Sequence, residues 1–433
     1  MSPPRTSARV PQPGSVLIAG VSTRAAADSA ARAGFAVTAI DAFGDLDHHP
    51  SVRSLSLPRD LGAPTSAHAA ARAARTIDAA AAAYVSAFDN HPRAVAMLAA
   101  GRVLWGNPPA VLRRVRDPRL VAEALRRHGL AAPGVFARSP GRGAPAATAF
   151  QTSLKPRLDS KAHLPVGPHL TDLEPPRSAS GRWLVKPLAS GGGHRVRPWR
   201  RGARVPAKCY LQEFVAGTAG SVVFVAAGGR AVPIGMSRQL VGEAAFGATG
   251  YRYCGNILAS AGDPQFDADD ALLEAAWALA RAVAEEFGLV GVNGIDFIAR
   301  DGVPWAIEVN PRWSASMELV ERAYGFSVFG AHADACVSGV LPDFDLERAR
   351  RGGRAYGKAV VFARRDVVLG DTRPWLEDAT VRDVPFPGEH LRAGRPVCTV
   401  LADGAGSAAC HAALAARAGR VYAELARWER DIA

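Results

Sequence analysis

The run Glu308-Val309-Asn310-Pro311-Arg312 is the most specific local pattern in this chain. It ends a predicted hairpin in which residues 294–300 form one strand, Asp301-Gly302 the turn and residues 303–309 the returning strand. Because side chains alternate along a strand, the returning strand should place its apolar residues on one face, and Glu308 and Asn310 on the other. The apolar residues of this strand are Val303, Trp305, Ile307 and Val309.

The position of Asp296, on the first strand, depends on the length of the turn. A turn with an odd number of residues, such as a three-residue turn with Gly in the left-handed conformation, makes Asp296 a cross-strand neighbour of Glu308. A two-residue turn places the two carboxylates on opposite faces. Two carboxylates and an amide oxygen on one face suit Mg²⁺, and Arg312 follows closely enough to contact phosphate oxygens. Each carboxylate alone is equally compatible with a salt-bridged surface residue.

A second segment joins a predicted strand, Leu184-Val185-Lys186-Pro187, to the loop Ser190-Gly191-Gly192-Gly193-His194. Glycines allow backbone N–H groups to converge on an anion, and Lys186 adds a positive charge for phosphate oxygens. The pattern is not a G-x-x-x-x-G-K-[ST] phosphate loop. A plain hairpin turn is the alternative interpretation of the glycines, and His194 alone is typical of a loop histidine.

The third segment is Gln212-Glu213-Phe214-Val215, where a predicted strand leads into a turn. Backbone groups at such a position can pair with the edge of an adenine ring. Glu213 is a candidate acceptor for an amino group or a ribose hydroxyl, and a solvated glutamate at a strand end is the alternative.

The remaining pattern predicts the rest of the architecture. Strands at 16–19 and 35–40 enclose a helix at 22–33, which is a βαβ opening without the G-x-G-x-x-G fingerprint. Asp41 ends the second strand as a turn former, and a residue that holds a ribose is the alternative interpretation. Further helices are predicted at 66–87, from Asp117-Pro118 to 128, at 271–287 and from 407, and residues 139–180 read as a loop-rich insertion.

Composition narrows the class of protein. The chain has 433 residues, 48% of them hydrophobic and 21% charged, which is a globular balance. The net charge of +12 raises a nucleic-acid interpretation, but the arginines are spread along the whole chain. The five cysteines form no C-x-x-C pair, and no apolar run is long enough to span a membrane. We therefore expect a cytoplasmic protein without nucleic-acid or membrane partners.

The three segments, in this order, resemble the ATP-grasp superfamily, and within it the group of predicted ATP-dependent carboligases. The Tyr356-Gly357-Lys358-Ala359-Val360-Val361 strand and the Pro385-Phe386-Pro387-Gly388 turn support the narrower resemblance. It implies an α/β and α+β fold: an N-terminal parallel βαβ domain (1–105), a two-lobed ATP-grasp domain (106–345) with the 139–180 insertion, and a small C-terminal α+β segment (346–433).

The resemblance also implies a function. It is that of an ATP-dependent ligase that activates a carboxylate as an acyl phosphate for attack by an amine, releasing ADP and phosphate, in one-carbon cofactor biosynthesis. The implied cofactors are ATP and Mg²⁺ or Mn²⁺, the partners are small-molecule carboxylate and amine substrates, and a homodimer is the candidate assembly. The implied metal ligands are Asp296, Glu308 and Asn310, and the implied catalytic residues are Arg312 and Lys186. The nucleotide would contact Lys186, Ser190, Gly191, Gly192, Gly193, Gln212, Glu213, Phe214 and Val215.

Two other functions are compatible with the same motifs, and one residue departs from the pattern of related enzymes. A kinase or carboxylase could use the same fold, and a nucleotide- or nucleic-acid-binding regulatory protein could lack catalysis. Related enzymes carry a basic residue early in the helix before the glycine loop, and here Arg119 is the candidate. His194 and Glu318 are the candidates for a general base.

Overall fold

The computed structural model describes residues 14–136, 181–266 and 269–432, with side chains up to 428. The strands of the N-terminal part are β1 (Ser15–Ala19), β2 (Ala36–Asp41), β3 (Val52–Ser56), β4 (Ala81–Tyr84) and β5 (Val103–Trp105). Those of the middle are β6 (Val135–Phe136), β7 (Trp183–Pro187), β8 (Arg197–Pro198), β9 (Cys209–Glu213), β10 (Thr218–Ala227), β11 (Arg230–Val241), β12 (Tyr253–Leu258), β13 (Gly291–Arg300) and β14 (Val303–Asn310). The last strands are β15 (Ala355–Phe362), β16 (Val367–Val368), β17 (Val381–Arg382), β18 (His390–Leu391) and β19 (Pro396–Gly404).

Ten α-helices lie within the described ranges. They are α1 (Arg24–Arg32), α2 (Ala67–Ala73), α3 (Pro92–Leu98), α4 (Pro109–Val115), α5 (Pro118–Arg127), α6 (Asp269–Phe287), α7 (Met317–Tyr324), α8 (Val328–Ser338), α9 (Leu346–Ala349) and α10 (Ser407–Ile432). Among the residues described, no helix combines the length and apolar character needed to cross a bilayer.

The N-terminal part is a parallel sheet in the order β3-β2-β1-β4-β5. The βαβ opening is as predicted, and the Asp41 carboxylate accepts hydrogen bonds from Thr23 and Gly44 as a turn former does. The single helix predicted over 66–87 is wrong, because α2 ends at Ala73 and the alanine run 81–84 forms β4. β4 lies in the sheet interior, where pairing with β1 and β5 outweighs the helix propensity of alanine.

A second sheet has eight strands in the order β14-β13-β10-β11-β12-β15-β19-β17. Its two faces bury alternate residues of β10: Val222 and Phe224 pack with α6, and Val223 and Val225 pack with α8 and the N-terminal part. A four-stranded sheet, β6-β9-β7-β8, carries Lys186 and Gln212 and faces the eight-stranded sheet. We call the four-stranded sheet the first lobe and the eight-stranded sheet with its helices the second lobe. This is the mixed α/β and α+β architecture that was expected.

The C-terminal strands β15, β17 and β19 belong to the eight-stranded sheet rather than to a separate one. They bury a common core with Leu240, Phe246 and Ile257. The C-terminal segment therefore shares a core with the second lobe. The division of the chain at 105 and 345 stays a prediction. Residues 139–180, expected to be an insertion, lie outside the described residues.

Candidate active site

The hairpin of β13 and β14 pairs Asp296 with Glu308 by a route that the sequence did not indicate. The turn has two residues, Asp301 and Gly302, both with positive φ (53° and 70°). Phe297 pairs with Ala306, whereas Asp296 pairs with Glu308, so Ile307 is an extra residue in β14. This β-bulge shifts the register by one residue. The expectation that a two-residue turn would separate the carboxylates is therefore wrong.

The bulge also changes which face each residue of β14 occupies. Ala306 and Val309 enter the core under α6, while Ile307 and Glu308 both line the cavity. The prediction that Ile307 and Val309 share an apolar face is wrong for the same reason. Because the extra residue lies between them, strand alternation breaks there.

Asp296 is held by two amides. Gln239 Nε2 donates to Asp296 Oδ1 (2.9 Å) and Asn310 Nδ2 donates to Oδ2 (3.0 Å). Burial and, to a smaller extent, the charge of Glu308 raise the pKa of Asp296 to about 6. The site therefore contains a carboxylate pair whose repulsion a cation would relieve.

The buried acid Asp89 holds two arginines, Arg312 and Arg116, next to the carboxylate pair. Asp89, with a side chain 1% exposed, accepts a hydrogen bond from Arg312 Nε (3.2 Å) and lies 3.7 Å from Arg116. Burial acts against ionisation, but Arg312 and Arg116 together lower the pKa of Asp89. Arg312 also donates to Asn310 Oδ1 (3.0 Å), so its guanidinium is fixed beside the carboxylate pair.

Arg116 connects the glycine loop to Glu308. Its Nη1 donates to Glu308 Oε1 (2.7 Å), and its Nη2 lies 3.4 Å from the carbonyl oxygen of Ser190. Arg119, the expected basic residue, instead pairs with Asp117, the N-cap of its own helix. The basic residue at the site is thus Arg116, before α5 rather than in it.

Lys186 and Gln212 meet the bulge from the other lobe. Lys186 Nζ donates to Gln212 Oε1 (3.0 Å) and to the carbonyl oxygen of Ile307 (3.3 Å), which also accepts from Gln212 Nε2 (3.1 Å). A bulge frees a backbone carbonyl from its strand partner. Ile307 thereby links both lobes at the base of the cleft.

The glycine loop lies against residues 251–253. Tyr253 N donates to the carbonyl oxygen of Gly192 (3.0 Å). Gly193 has φ +71°, and a Cβ there would overlap the carbonyl oxygen of Tyr251. Gly191 has no neighbour within 4 Å of such a Cβ.

We expect Gly193→Ala to impair nucleotide binding by about tenfold or more, because its φ is unfavourable and its Cβ would displace the loop. Gly353→Ala, in an exposed loop outside the cavity wall, is the matched control and should stay within about twofold of wild type, since its Cβ meets open space. Calorimetric titration with ADP measures both. Equal affinities for the two variants would contradict the close packing of this loop on Tyr251.

A cavity of about 410 Å³ separates the two lobes. Its wall includes every residue assigned above to metal, nucleotide or catalysis except Gly191: Lys186, Ser190, Gly192, Gly193, Gln212, Glu213, Phe214, Val215, Asp296, Glu308, Asn310 and Arg312. Glu213 uses Oε2 to accept from the backbone N–H of Gly134 (3.1 Å). The three sequence segments thus converge on one cleft.

Neither candidate for a general base fits that role. Glu318 forms ion pairs with Arg24 and Lys358, which against the effect of burial hold the pKa of Glu318 well below its usual range. His194 is exposed and is not among the residues that line the cavity.

Several residues of the site had no signal in the sequence. Arg116, Asp89 and Gln239 come from parts of the chain without a motif, and only folding brings them to Asp296 and Glu308. Arg116 directly precedes the predicted helix start Asp117-Pro118 and lies three residues before Arg119, the expected basic residue. This closeness in sequence was the one available clue.

The donor set fits a hard divalent cation. Two carboxylates supply oxygen ligands, and Asn310 Oδ1, which accepts from Arg312, is a third oxygen beside them. In the described part of the chain, no group of three or more His, Cys, Asp or Glu residues is arranged to hold a metal. The candidate site depends on two acids and an amide, the nucleotide supplying further oxygens.

These features define a two-lobed fold with a carboxylate pair in the cleft between antiparallel sheets. Residues 153–316 match the model of the ATP-grasp domain, of which 153–180 and 267–268 lie outside the described residues. The chain contains an ATP-grasp domain and has the ATP-grasp fold, which confirms the resemblance drawn from its motifs.

Solved structures show the same fold over nearly the whole chain. An L-amino acid ligase from Bacillus licheniformis has a TM-score of 0.61 at 15% identity, covering 97% of this chain and 98% of that one. An N5-carboxyaminoimidazole ribonucleotide synthetase in complex with ADP has a TM-score of 0.61 at 16% identity, with coverages of 98% and 100%. Biotin carboxylase from Campylobacter jejuni has a TM-score of 0.62 at 12% identity, with coverages of 92% and 88%.

One curated relative matches a shorter stretch. An uncharacterized protein of Methanocaldococcus jannaschii is 25% identical over 120 residues, which is 28% of this chain and 28% of that protein.

Proposed function

We propose that the chain is an ATP-dependent carboxylate–amine ligase. The observation that carries the proposal is the pairing of Asp296 with Glu308 beside Arg312, in a cleft that also holds Lys186 and the glycine loop. An arginine fixed next to the carboxylate pair can neutralise the charge of a phosphoryl group during its transfer. The solved ligases of this fold, and the ADP complex among them, support the same class.

The chemistry requires an activated acid. A carboxylate is a poor electrophile at neutral pH, so transfer of the γ-phosphoryl group of ATP to it forms an acyl phosphate and ADP. Attack by an amine nitrogen on the acyl carbon then forms the C–N bond and releases phosphate. Most of the protein's contribution is positioning and charge neutralisation.

Each residue has a place in this scheme. Asp296, Glu308 and Asn310 would hold Mg²⁺, which supplies charge neutralisation to the phosphate oxygens when bound. Lys186 and residues 190–193 would hold the phosphates, and the 212–215 segment the adenine. Arg312 would orient and neutralise the transferred phosphoryl group, because its guanidinium is already fixed by Asp89 and Asn310.

The experiment that tests this function is a screen for ADP release. Carboxylates and amines, including amino acids and one-carbon cofactor precursors, are supplied in pairs with ATP and Mg²⁺, and products are identified by mass spectrometry. ADP release that needs both an acid and an amine supports the ligase. Release with an acid and no amine indicates a kinase, release with bicarbonate as the acid indicates a carboxylase, and ATP binding without turnover indicates a regulatory protein.

Lys186→Ala should weaken nucleotide binding by about tenfold, because a buried positive charge next to the phosphates is lost. Lys186 is 9% exposed and its two hydrogen bonds go to Gln212 and Ile307. Calorimetry with ADP is the measurement, and Lys208→Ala, on an exposed loop, is the control. An unchanged affinity for the Lys186 variant would contradict its phosphate role.

A further inference from the structure

The cleft continues beyond the nucleotide site to a second region at the N-terminal sheet. We call it the switch-point compartment, lined by Ser22, Arg24, Ser86, Ser314, Lys358 and Asp383. Ser22 follows β1 and Ser86 follows β4, the neighbouring strands at which the strand order of the sheet reverses. The carboxyl ends of parallel strands at such a reversal form a ligand-binding crevice.

The charged cluster to which this wall belongs carries an excess of negative charge: Arg24, Lys358 and Asp383 line the cavity, and the buried acids lie behind them. Arg24 lies within 4 Å of four carboxylates, those of Asp28 (3.7 Å), Asp47 (3.6 Å), Glu318 (2.7 Å) and Asp383 (2.8 Å). Lys358 pairs with Glu318 and is the second cation. Four acids against two bases leave two negative charges in excess, and one remains when Asp47, whose pKa burial raises, is counted as protonated.

Asp383 is the acid most able to meet a ligand. Its side chain is 23% exposed, against 7% to 12% for the other three acids. Asp383 Oδ1 accepts from Arg24 Nε, and Oδ2 has no hydrogen-bond partner in the described part of the chain. Its backbone, with φ +55°, is fixed because Asp47 accepts hydrogen bonds from the N–H groups of Asp383 and Val384.

A second observation points to a ligand at the same wall. The Arg24 side chain is 3% exposed, yet its Nη2 has no hydrogen-bond partner among the described residues. A buried guanidinium N–H without an acceptor is costly. An oxygen of a bound molecule beside Asp383 would satisfy it.

We infer that the switch-point compartment binds a substrate through a cationic nitrogen on Asp383, with a hydrogen-bond acceptor of the same substrate near Arg24. This inference rests on the proposed function, because it assigns the charge of one substrate of that ligase. The cation is an ammonium group on either the acid or the amine. An anion is repelled by the excess of acids, so the carboxylate to be activated lies toward Arg312 instead.

The test compares three small probes of similar size by ligand-observed NMR titration. Isopropanolamine carries an ammonium and an oxygen, propylene glycol replaces the ammonium by a hydroxyl, and lactate is an anion. Wild type should bind isopropanolamine at least about tenfold more tightly than either of the others. Equal binding of the three, tighter binding of lactate, or no binding of any would overturn the inference.

Asp383→Asn is the variant, because it removes the charge and Asn tolerates a positive φ. It should weaken isopropanolamine binding at least about tenfold. Asp301→Asn is the matched control, since Asp301 has the same type of backbone conformation (φ 53°) in an exposed turn outside the cavity wall. It should bind like wild type, and equal binding by both variants would overturn the role of Asp383.

Turnover separates this inference from the proposed function. The assay has two arms. In the first, acids that carry an ammonium group are paired with hydroxylamine, a largely uncharged nucleophile. In the second, acids without an ammonium group are paired with cationic amines. In either arm, Asp383→Asn should raise the KM of the cationic substrate at least about tenfold, with a kcat like that of the Asp301 control. Absence of all ADP release, with Asp383-dependent binding of isopropanolamine, would reject the ligase and leave the cation site standing.

Discussion

Replacing Asp296 by Asn or Glu308 by Gln is expected to reduce ADP release at least about a thousandfold, because each loses a negatively charged oxygen ligand of the cation that neutralises the phosphates. The fold should persist. Each replacement keeps the size of the side chain, and Asp296→Asn removes the repulsion with Glu308 that raises the pKa of Asp296. Steady-state ADP release and thermal unfolding are the two measurements.

Asp301→Asn is the control for these variants, because it makes the same chemical change at the other end of the same hairpin. It should release ADP at the rate of wild type. Turnover of the Asp296 or Glu308 variant within about tenfold of wild type would reject the metal assignment.

Arg312→Lys should lower kcat on the order of a hundredfold while ATP affinity changes little. Lysine keeps the charge next to buried Asp89, so the fold is retained. It loses the fork that contacts Asp89 and Asn310 together and fixes the direction of the donors. The split between kcat and ATP affinity distinguishes a role in phosphoryl transfer from one in nucleotide binding.

Arg373→Lys is the matched control, because Arg373 makes a two-pronged contact with Asp371 on the exposed surface. It should leave kcat and ATP affinity unchanged. A hundredfold loss of ATP affinity in Arg312→Lys, at unchanged kcat, would move Arg312 from the transfer step to the binding of the nucleotide.

The sequence predicted the three segments of the site because each carries a local pattern. The glycine run, the strand before it and the E-x-N-P-R stretch need only turn chemistry and strand alternation. Helices with clear caps were also predicted well: α5 begins at Pro118 after its Asp117 N-cap, as expected.

Local sequence patterns could not predict the effects of pairing between segments that are far apart in the sequence. The bulge at Ile307 follows from how β14 pairs with β13, and no residue in the strand announces it. Residues 81–84 become a strand because two neighbouring strands enclose them. Arg350, between α9 and β15, is buried and pairs with Asp269, a contact across 81 positions of the sequence.

The same limit explains the missed site residues. Arg116 reaches Glu308 across 192 positions, and Arg312 reaches Asp89 across 223. Such contacts depend on the tertiary arrangement, in which the loop before α5 and the loop after β4 meet the end of the hairpin. Asp383 belongs to the same class, since it reaches Arg24 from the C-terminal segment across 359 positions.

The proposed function depends on Asp296 and Glu308 together holding a divalent cation that anchors the triphosphate between the lobes. Electron paramagnetic resonance of Mn²⁺, titrated with protein in the presence of a non-hydrolysable ATP analogue, measures this directly without turnover. We predict that wild type and Asp301→Asn bind Mn²⁺ with the nucleotide, and that Asp296→Asn and Glu308→Gln each weaken that binding at least about tenfold. Identical Mn²⁺ titrations of all four proteins would contradict the account.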